Sequence, residues 1–311
     1  MQLCFLYPGQ GAQYPGMGKD LFEACPAVKE LFELASDACG RNTRALLFES
    51  DENELKETQN TQIAITLMNL AVRRYLIEHH VESDGAAGFS LGEWSAYVDA
   101  GVLSEGDVFP VVMERGRIMA EASVELQRAG SHSGMAAVIG LPSEKVEGIM
   151  AGIEGAFPAN YNSLEQTVIS GESNAIKTAS LHLKEAGARR VIPLKVSGPF
   201  HTPLLLQAGS RFENYLHDYT LRDPVKPLYS NVTGGALKSA TDVRTNAVLQ
   251  ISSPVQWVRE ESEIGRGRYD LCIETGPGKV LTGLWKKSEQ KIECKPTDSR
   301  EKLDELIGEL V

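Results

Sequence analysis

Apolar residues along this chain fall into short continuous runs that alternate with longer stretches of helical spacing. Leu3-Cys4-Phe5-Leu6-Tyr7 is one such run. It predicts a first strand, with a glycine-rich turn from Pro8 to Gln13 beyond its carboxyl end. Over residues 60–80, Ile63, Leu67, Leu70, Tyr75 and Leu76 recur at helical spacing and predict a buried helix. Residues 86–89 lead into a turn at Ser90. Residues 94–100 continue as helix until Gly101 stops it, and a further helix over about 106–126 carries Arg115 and Met119.

The pattern shifts at Arg128-Ala129-Gly130-Ser131-His132-Ser133-Gly134, a polar joint containing glycine. After it the spacing predicts a strand at 135–139, a helix at 143–150, strands at 156–160 and 166–170, a helix at 174–186 and a strand at 190–196. That order, β-α-β-β-α-β, is a split ferredoxin-like unit. Further strands follow near Pro227-Leu228-Tyr229-Ser230 and Leu271-Cys272-Ile273-Glu274. The expected fold class is α/β: an α/β-hydrolase-like large domain with a parallel sheet (1–129 and 197–311), and an inserted ferredoxin-like small subdomain (130–196).

A length of 311 residues suffices for a large core, and 42% apolar with 23% charged residues is ordinary for a soluble globular protein. A formal charge of −11 without a basic tract argues against nucleic acid as a partner. No apolar stretch approaches the roughly 20 residues a membrane span needs. The first residues read as a strand, with no basic leader. Five scattered cysteines without metal-ligand spacing predict free thiols in a reducing cytoplasm. No bound metal or cofactor is expected.

The chemistry centres on Gly88-Phe89-Ser90-Leu91-Gly92-Glu93. A serine on a tight strand-to-helix turn exposes its hydroxyl, and the amides that follow can stabilise an oxyanion. The pattern is loose on its own and fits a structural glycine turn equally well. A serine nucleophile needs a base. His79, His80, His182 and His217 lie in polar helical contexts, and His132 lies in the joint. His201, in Gly198-Pro199-Phe200-His201-Thr202-Pro203, sits in a rigid turn just after a strand, at the expected domain junction. No Asp or Glu stands in a comparable turn to orient its ring, so a carbonyl is expected to do so, making a Ser–His dyad. Arg115 by itself reads as a solvated helix arginine, like Arg117.

Six segments occur together in the order found in malonyl-CoA:acyl carrier protein transacylases, which the chain resembles over nearly its whole length. They are Gly9-Gln10-Gly11-Ala12-Gln13, the Ser90 turn, Arg115-Gly116, Asn160-Tyr161-Asn162-Ser163, Gly198-Pro199-Phe200-His201 and Tyr229-Ser230-Asn231-Val232-Thr233-Gly234, and Gln250 with Pro254-Val255-Gln256-Trp257 extends them. The resemblance implies that Ser90 is acylated with His201 as its general base, and that the main-chain N–H groups of Gln10 and Leu91 form the oxyanion hole. It implies that Arg115 holds the malonyl carboxylate and that a carbonyl of Gln250 fixes the His201 tautomer. Asn160, Asn162, Gln62 and Asn231 match substrate-binding positions, and Phe200 is the residue type that accompanies malonyl rather than methylmalonyl. One departure is Phe89, where the family commonly has histidine.

The resemblance also implies malonyl-CoA as substrate and an acidic acyl carrier protein as partner. An acidic partner must find a local basic patch on this acidic chain, and Lys184, Arg189, Arg190 and Lys195 are the candidates. A monomer is expected. Two other readings stay open: an acyl hydrolase that clears misloaded carrier proteins, and a non-catalytic carrier-binding protein.

Overall fold

The computed structural model describes residues 1–194 and 198–311. Ten strands form two sheets: β1 (Leu3–Tyr7), β2 (Gly85–Gly88), β3 (Ser133–Ile139), β4 (Ala156–Ser163), β5 (Gln166–Glu172), β6 (Arg190–Leu194), β7 (Leu228–Tyr229), β8 (Ala236–Leu237), β9 (Leu271–Glu274) and β10 (Glu293–Pro296). The larger sheet runs β10-β9-β1-β2-β7-β8 and is parallel except for β8. All five residues of β1 are buried because the strand is covered on both faces. Its side chains alternate between them. Leu3, Phe5 and Tyr7 join the main apolar core, whereas Cys4 and Leu6 join a second cluster with Val255, Trp257 and Trp285.

Two long helices cover the main-core face and lie against each other. Thr58–Glu78 is buried along nearly its whole length, as the spacing over 60–80 predicts. Glu105–Arg128 begins at Ser104, whose hydroxyl accepts from the Asp107 N–H and so satisfies an otherwise unpaired donor. Their approach is close at Gly116, where an added Cβ would stand 2.8 Å from the Gln62 Cγ. That closeness brings Arg115 and Gln62 together.

Residues 133–194 build the second sheet, in the order β4-β5-β3-β6 with every neighbour antiparallel. Its two helices, Ser143–Met150 and Ser173–Glu185, complete the expected β-α-β-β-α-β order. Ala136 and Val138 of β3 face these helices, while Met135 and Ala137 face the main core. The last strand of the unit is assigned as 190–194; residues 195–196 of the expected strand lie outside the described residues. The β4 edge also meets the segment bearing Val255. Tyr161 N–H donates to the Val255 carbonyl and Val255 N–H to the Ala159 carbonyl, each at 2.9 Å.

Candidate active site

Ser90 lies where β2 ends and the helix Gly92–Asp99 begins, and it adopts a left-handed φ of 51°. Such a turn is strained for a residue with a Cβ, and the glycines two positions away on either side, Gly88 and Gly92, make room for it. A Cβ on Gly92 would stand 1.9 Å from the Tyr7 carbonyl oxygen, and one on Gly88 2.1 Å from the Gly92 carbonyl carbon. The loop after β1 presses onto the same turn. A Cβ on Gly9 would be 2.3 Å from the Phe89 oxygen and 3.6 Å from the Leu91 nitrogen. The main-chain N–H groups of Gln10 and Leu91 thus sit on adjoining segments, and neither makes a hydrogen bond among the described residues.

His201 comes from the turn that follows residue 198. It too has a left-handed φ, 61°, and is 4% exposed. Its Nε2 lies 2.8 Å from Ser90 Oγ and its Nδ1 2.8 Å from the main-chain oxygen of Gln250. A carbonyl can only accept, so Nδ1 carries the proton and Nε2 presents its lone pair to the serine hydroxyl. No carboxylate contacts the imidazole among the described residues. Burial, and secondarily Arg115, push the His201 pKa down to about 4, against the hydrogen bonds to the Gln250 and Ser253 main chain.

Arg115 is not solvated, contrary to what its residue type alone suggests: it is 1% exposed. One terminal nitrogen donates to Gln62 Oε1 and the other to Gln250 Oε1, each at 3.0 Å. Its Nε has no partner, and no carboxylate pairs with it among the described residues. Burial lowers its pKa to about 10, so it stays a cation at neutral pH. A buried guanidinium held by neutral oxygens, with donors to spare, is a ready receptor for one small carboxylate.

Other candidates fall into place around these. Gln62 holds Arg115. Gln250 fixes His201 through its backbone, and its side chain does more: Nε2 donates to the Ser90 carbonyl at 3.0 Å and also reaches Glu93. Asn231 lies elsewhere than a substrate-binding residue should. It is fully buried behind the turn, accepting the Ser90 N–H at 2.6 Å and donating to the Gly88 carbonyl at 2.6 Å and to Glu260 at 2.8 Å. Neither end of its amide is left for a substrate, so it clamps the turn. Asn160 lies in β4 opposite Val255, and the Asn162 Oδ1 is buried without a partner; neither side chain hydrogen-bonds Ser90, His201 or Arg115. Phe200 is buried beside His201. Phe89 turns edge-on to Trp257, with ring centroids 5.4 Å apart, in the second apolar cluster. Lys184, Arg189 and Arg190 are exposed, and Lys195 lies outside the described residues.

Two buried acids went unread in the sequence. Glu93 accepts from the Asn231 main-chain N–H and Glu260 from its side-chain amide. Glu93 stands in the quoted Ser90 segment, but nothing in the residue order marks it as buried. Burial pushes its pKa up to about 8, against donors from Gln250, Tyr97 and Asn231 and the nearby Arg115 charge.

A strained serine at the carboxyl edge of a parallel sheet, touching a tautomer-fixed histidine, defines a protein of the nucleophile-elbow class. Within that class the chain belongs to the acyl transferase domain family, which matches residues 4–302. It is 36% identical to the malonyl CoA-acyl carrier protein transacylase of Bacillus subtilis over 99% of this chain and 97% of that protein. A crystal structure of MCAT from Streptococcus pneumoniae superposes with a TM-score of 0.92 at 37% identity, covering 99% of this chain and 100% of that one. A type II PKS acyl-carrier protein in complex with its malonyl-transacylase gives a TM-score of 0.94 at 33% identity, over 99% and 100% of the two chains.

Proposed function

We propose that this chain moves malonyl from malonyl-CoA to the phosphopantetheine thiol of an acyl carrier protein, through an ester on Ser90. The observation that carries the reading is a buried, anion-free Arg115 beside a Ser90–His201 contact of 2.8 Å. His201 Nε2 takes the Ser90 proton as Oγ attacks the thioester carbonyl. The oxyanion that forms is received by the Gln10 and Leu91 N–H groups, a donor pair in which each member contributes about 3–4 kcal/mol in comparable sites. The C–S bond then breaks and the CoA sulfur leaves with the proton from His201. The second half runs in reverse: the carrier thiol gives its proton to His201, attacks the ester, and releases Ser90. Thioester and ester lie close in free energy, so no cofactor is called for.

Arg115 favours transfer of a carboxylated acyl group over the editing hydrolase, which has no need of a carboxylate clamp. Residues 130–196 are proposed as an insertion into the large domain, and the chain as a cytoplasmic monomer. Five buried free cysteines support a reducing compartment, and no described helix is long and apolar enough to cross a membrane. The exposed Lys184, Arg189 and Arg190, with Lys195, are proposed to dock the carrier protein.

Incubation with radiolabelled malonyl-CoA, followed by peptide mapping, tests the reading. Label should appear on the Ser90 peptide and be chased onto carrier protein; release only as free malonate rejects it. Reversing charge at Arg189 and Arg190 should raise KM for carrier protein and spare loading from CoA. Equal effects on both reject the docking role.

A further inference from the structure

Glu93 is fully buried, yet the transfer chemistry gives it no bond to make or break. A carboxyl so placed is costly unless its surroundings are arranged for it. Here they are all donors. Its Oε1 accepts from the Tyr97 hydroxyl at 3.1 Å and the Asn231 N–H at 3.4 Å, and its Oε2 accepts from Gln250 Nε2. The other end of that Gln250 amide accepts from Arg115 at 3.0 Å. The same residue's main-chain oxygen holds His201 Nδ1 at 2.8 Å. One glutamine therefore touches acid, cation, nucleophile backbone and base.

A carboxamide can be turned two ways, differing only in which end is oxygen. With acceptors at Glu93 and the Ser90 carbonyl on one side and a donor at Arg115 on the other, one orientation alone satisfies both ends. We infer that Glu93 is a positioning residue that orients the Gln250 amide, and through it aims the Arg115 guanidinium that selects malonyl over acyl groups lacking a carboxylate. The inference rests on the transferase reading of this site. It separates Glu93 from Glu260, whose carboxyl, among the described residues, reaches the turn through Asn231 and makes no hydrogen bond to Gln250.

The substitution Glu93→Leu keeps a side chain of similar size but removes the oxygen to which Gln250 Nε2 donates, leaving that end of the amide to the Ser90 carbonyl. The Gln250 side chain, and with it the Arg115 guanidinium, then loses one of its buried anchors. The rate of Ser90 loading from malonyl-CoA should fall about 10- to 100-fold, the effect of one or two buried hydrogen bonds broken. Loading from acetyl-CoA should fall far less, moving the malonyl-to-acetyl ratio toward that of Arg115→Ala.

A merely structural Glu93 would depress both loadings together, and an unchanged ratio in a folded variant overturns the inference. Circular dichroism and the thermal midpoint report folding. If Glu93→Leu does not fold, Glu93→Asp carries the same test, because it keeps the carboxyl but withdraws it by one methylene. Its ratio should fall too, and an unchanged ratio overturns the inference equally. Absence of malonyl label on Ser90 in the unaltered enzyme would instead reject the transferase reading itself.

Discussion

Ser90 acylation should survive acidification well past the point where an ordinary histidine base fails. The driving feature is the burial of His201, which with the Arg115 charge sets its pKa at about 4 against an ordinary 6.5. At pH 5 such a base is still about 90% neutral, whereas one with an ordinary pKa is about 3% neutral, so the two cases differ about 30-fold in rate. The clean assay uses a neutral donor, p-nitrophenyl acetate, so that no substrate carboxylate titrates, with burst labelling of Ser90 followed from pH 4 to 8. A half-maximal rate between pH 6 and 7 would refute the reasoning. Arg115→Met should move the midpoint upward, since it removes the second cause of the depression. Stability has the same sign. Between 6.5 and 4 the unfolded chain binds a proton at this histidine that the folded chain refuses, so this contribution is complete above pH 6.5. It is lost as pH falls through 4, to the extent of ~3 kcal/mol.

Replacing Asn231 by Ala orphans the half-buried Ser90 N–H and the buried Gly88 carbonyl and Glu260 carboxyl. The expected loss is about 3 kcal/mol or more, lowering the melting midpoint by roughly 5 °C; a midpoint within about 1 °C of the parent and full activity would deny the clamp. Gly9→Ala puts a Cβ 2.3 Å from the Phe89 oxygen and must lift the loop bearing the Gln10 N–H off the elbow. Its kcat should fall about 10²–10³-fold, the effect of losing one oxyanion donor, with KM for malonyl-CoA nearly unchanged, and an unaltered kcat would exclude Gln10.

The strands and helices that position the site were legible because burial imposes a period. β1 and β9 fall where their apolar runs place them, and the 58–78 helix where its 3.6-residue spacing does. Residues 19–56 fold into four short helices that the pattern left unassigned, since segments of 5–14 residues offer little repetition to read. β7 and β8 have two residues each and exist through pairing alone. At the site, Ser90 and His201 were legible from turn chemistry, because glycine and proline constrain the backbone locally. Arg115 was identified only through the family resemblance, and its burial depends on helix packing at Gly116. The true setting of Asn231 and the existence of the Glu93 network were hidden. They depend on which end of an amide faces which neighbour, and those neighbours lie 138 and 157 residues away in the chain.

On the proposed role of Arg115, the use of a backbone carbonyl to hold His201 suits a carboxylated cargo. A carboxylate in that place would orient the ring equally well and would raise its pKa. It would also put a fixed anion near Arg115, inside the same buried pocket, where opposite charges attract strongly. The guanidinium would then be occupied before malonyl arrived, and the incoming carboxylate would meet a like charge. A neutral carbonyl from Gln250 fixes the tautomer without adding charge, and the Gln62 and Gln250 side chains hold Arg115 without neutralising it. The cation in turn helps keep the imidazole unprotonated. An uncharged base and an unpaired guanidinium are therefore two sides of one electrostatic arrangement. Gln250→Glu should expose it: the new carboxylate would pair with Arg115, so malonyl loading should collapse while acetyl loading persists. Parallel loss of both activities in a folded protein would show that Gln250 serves the base alone.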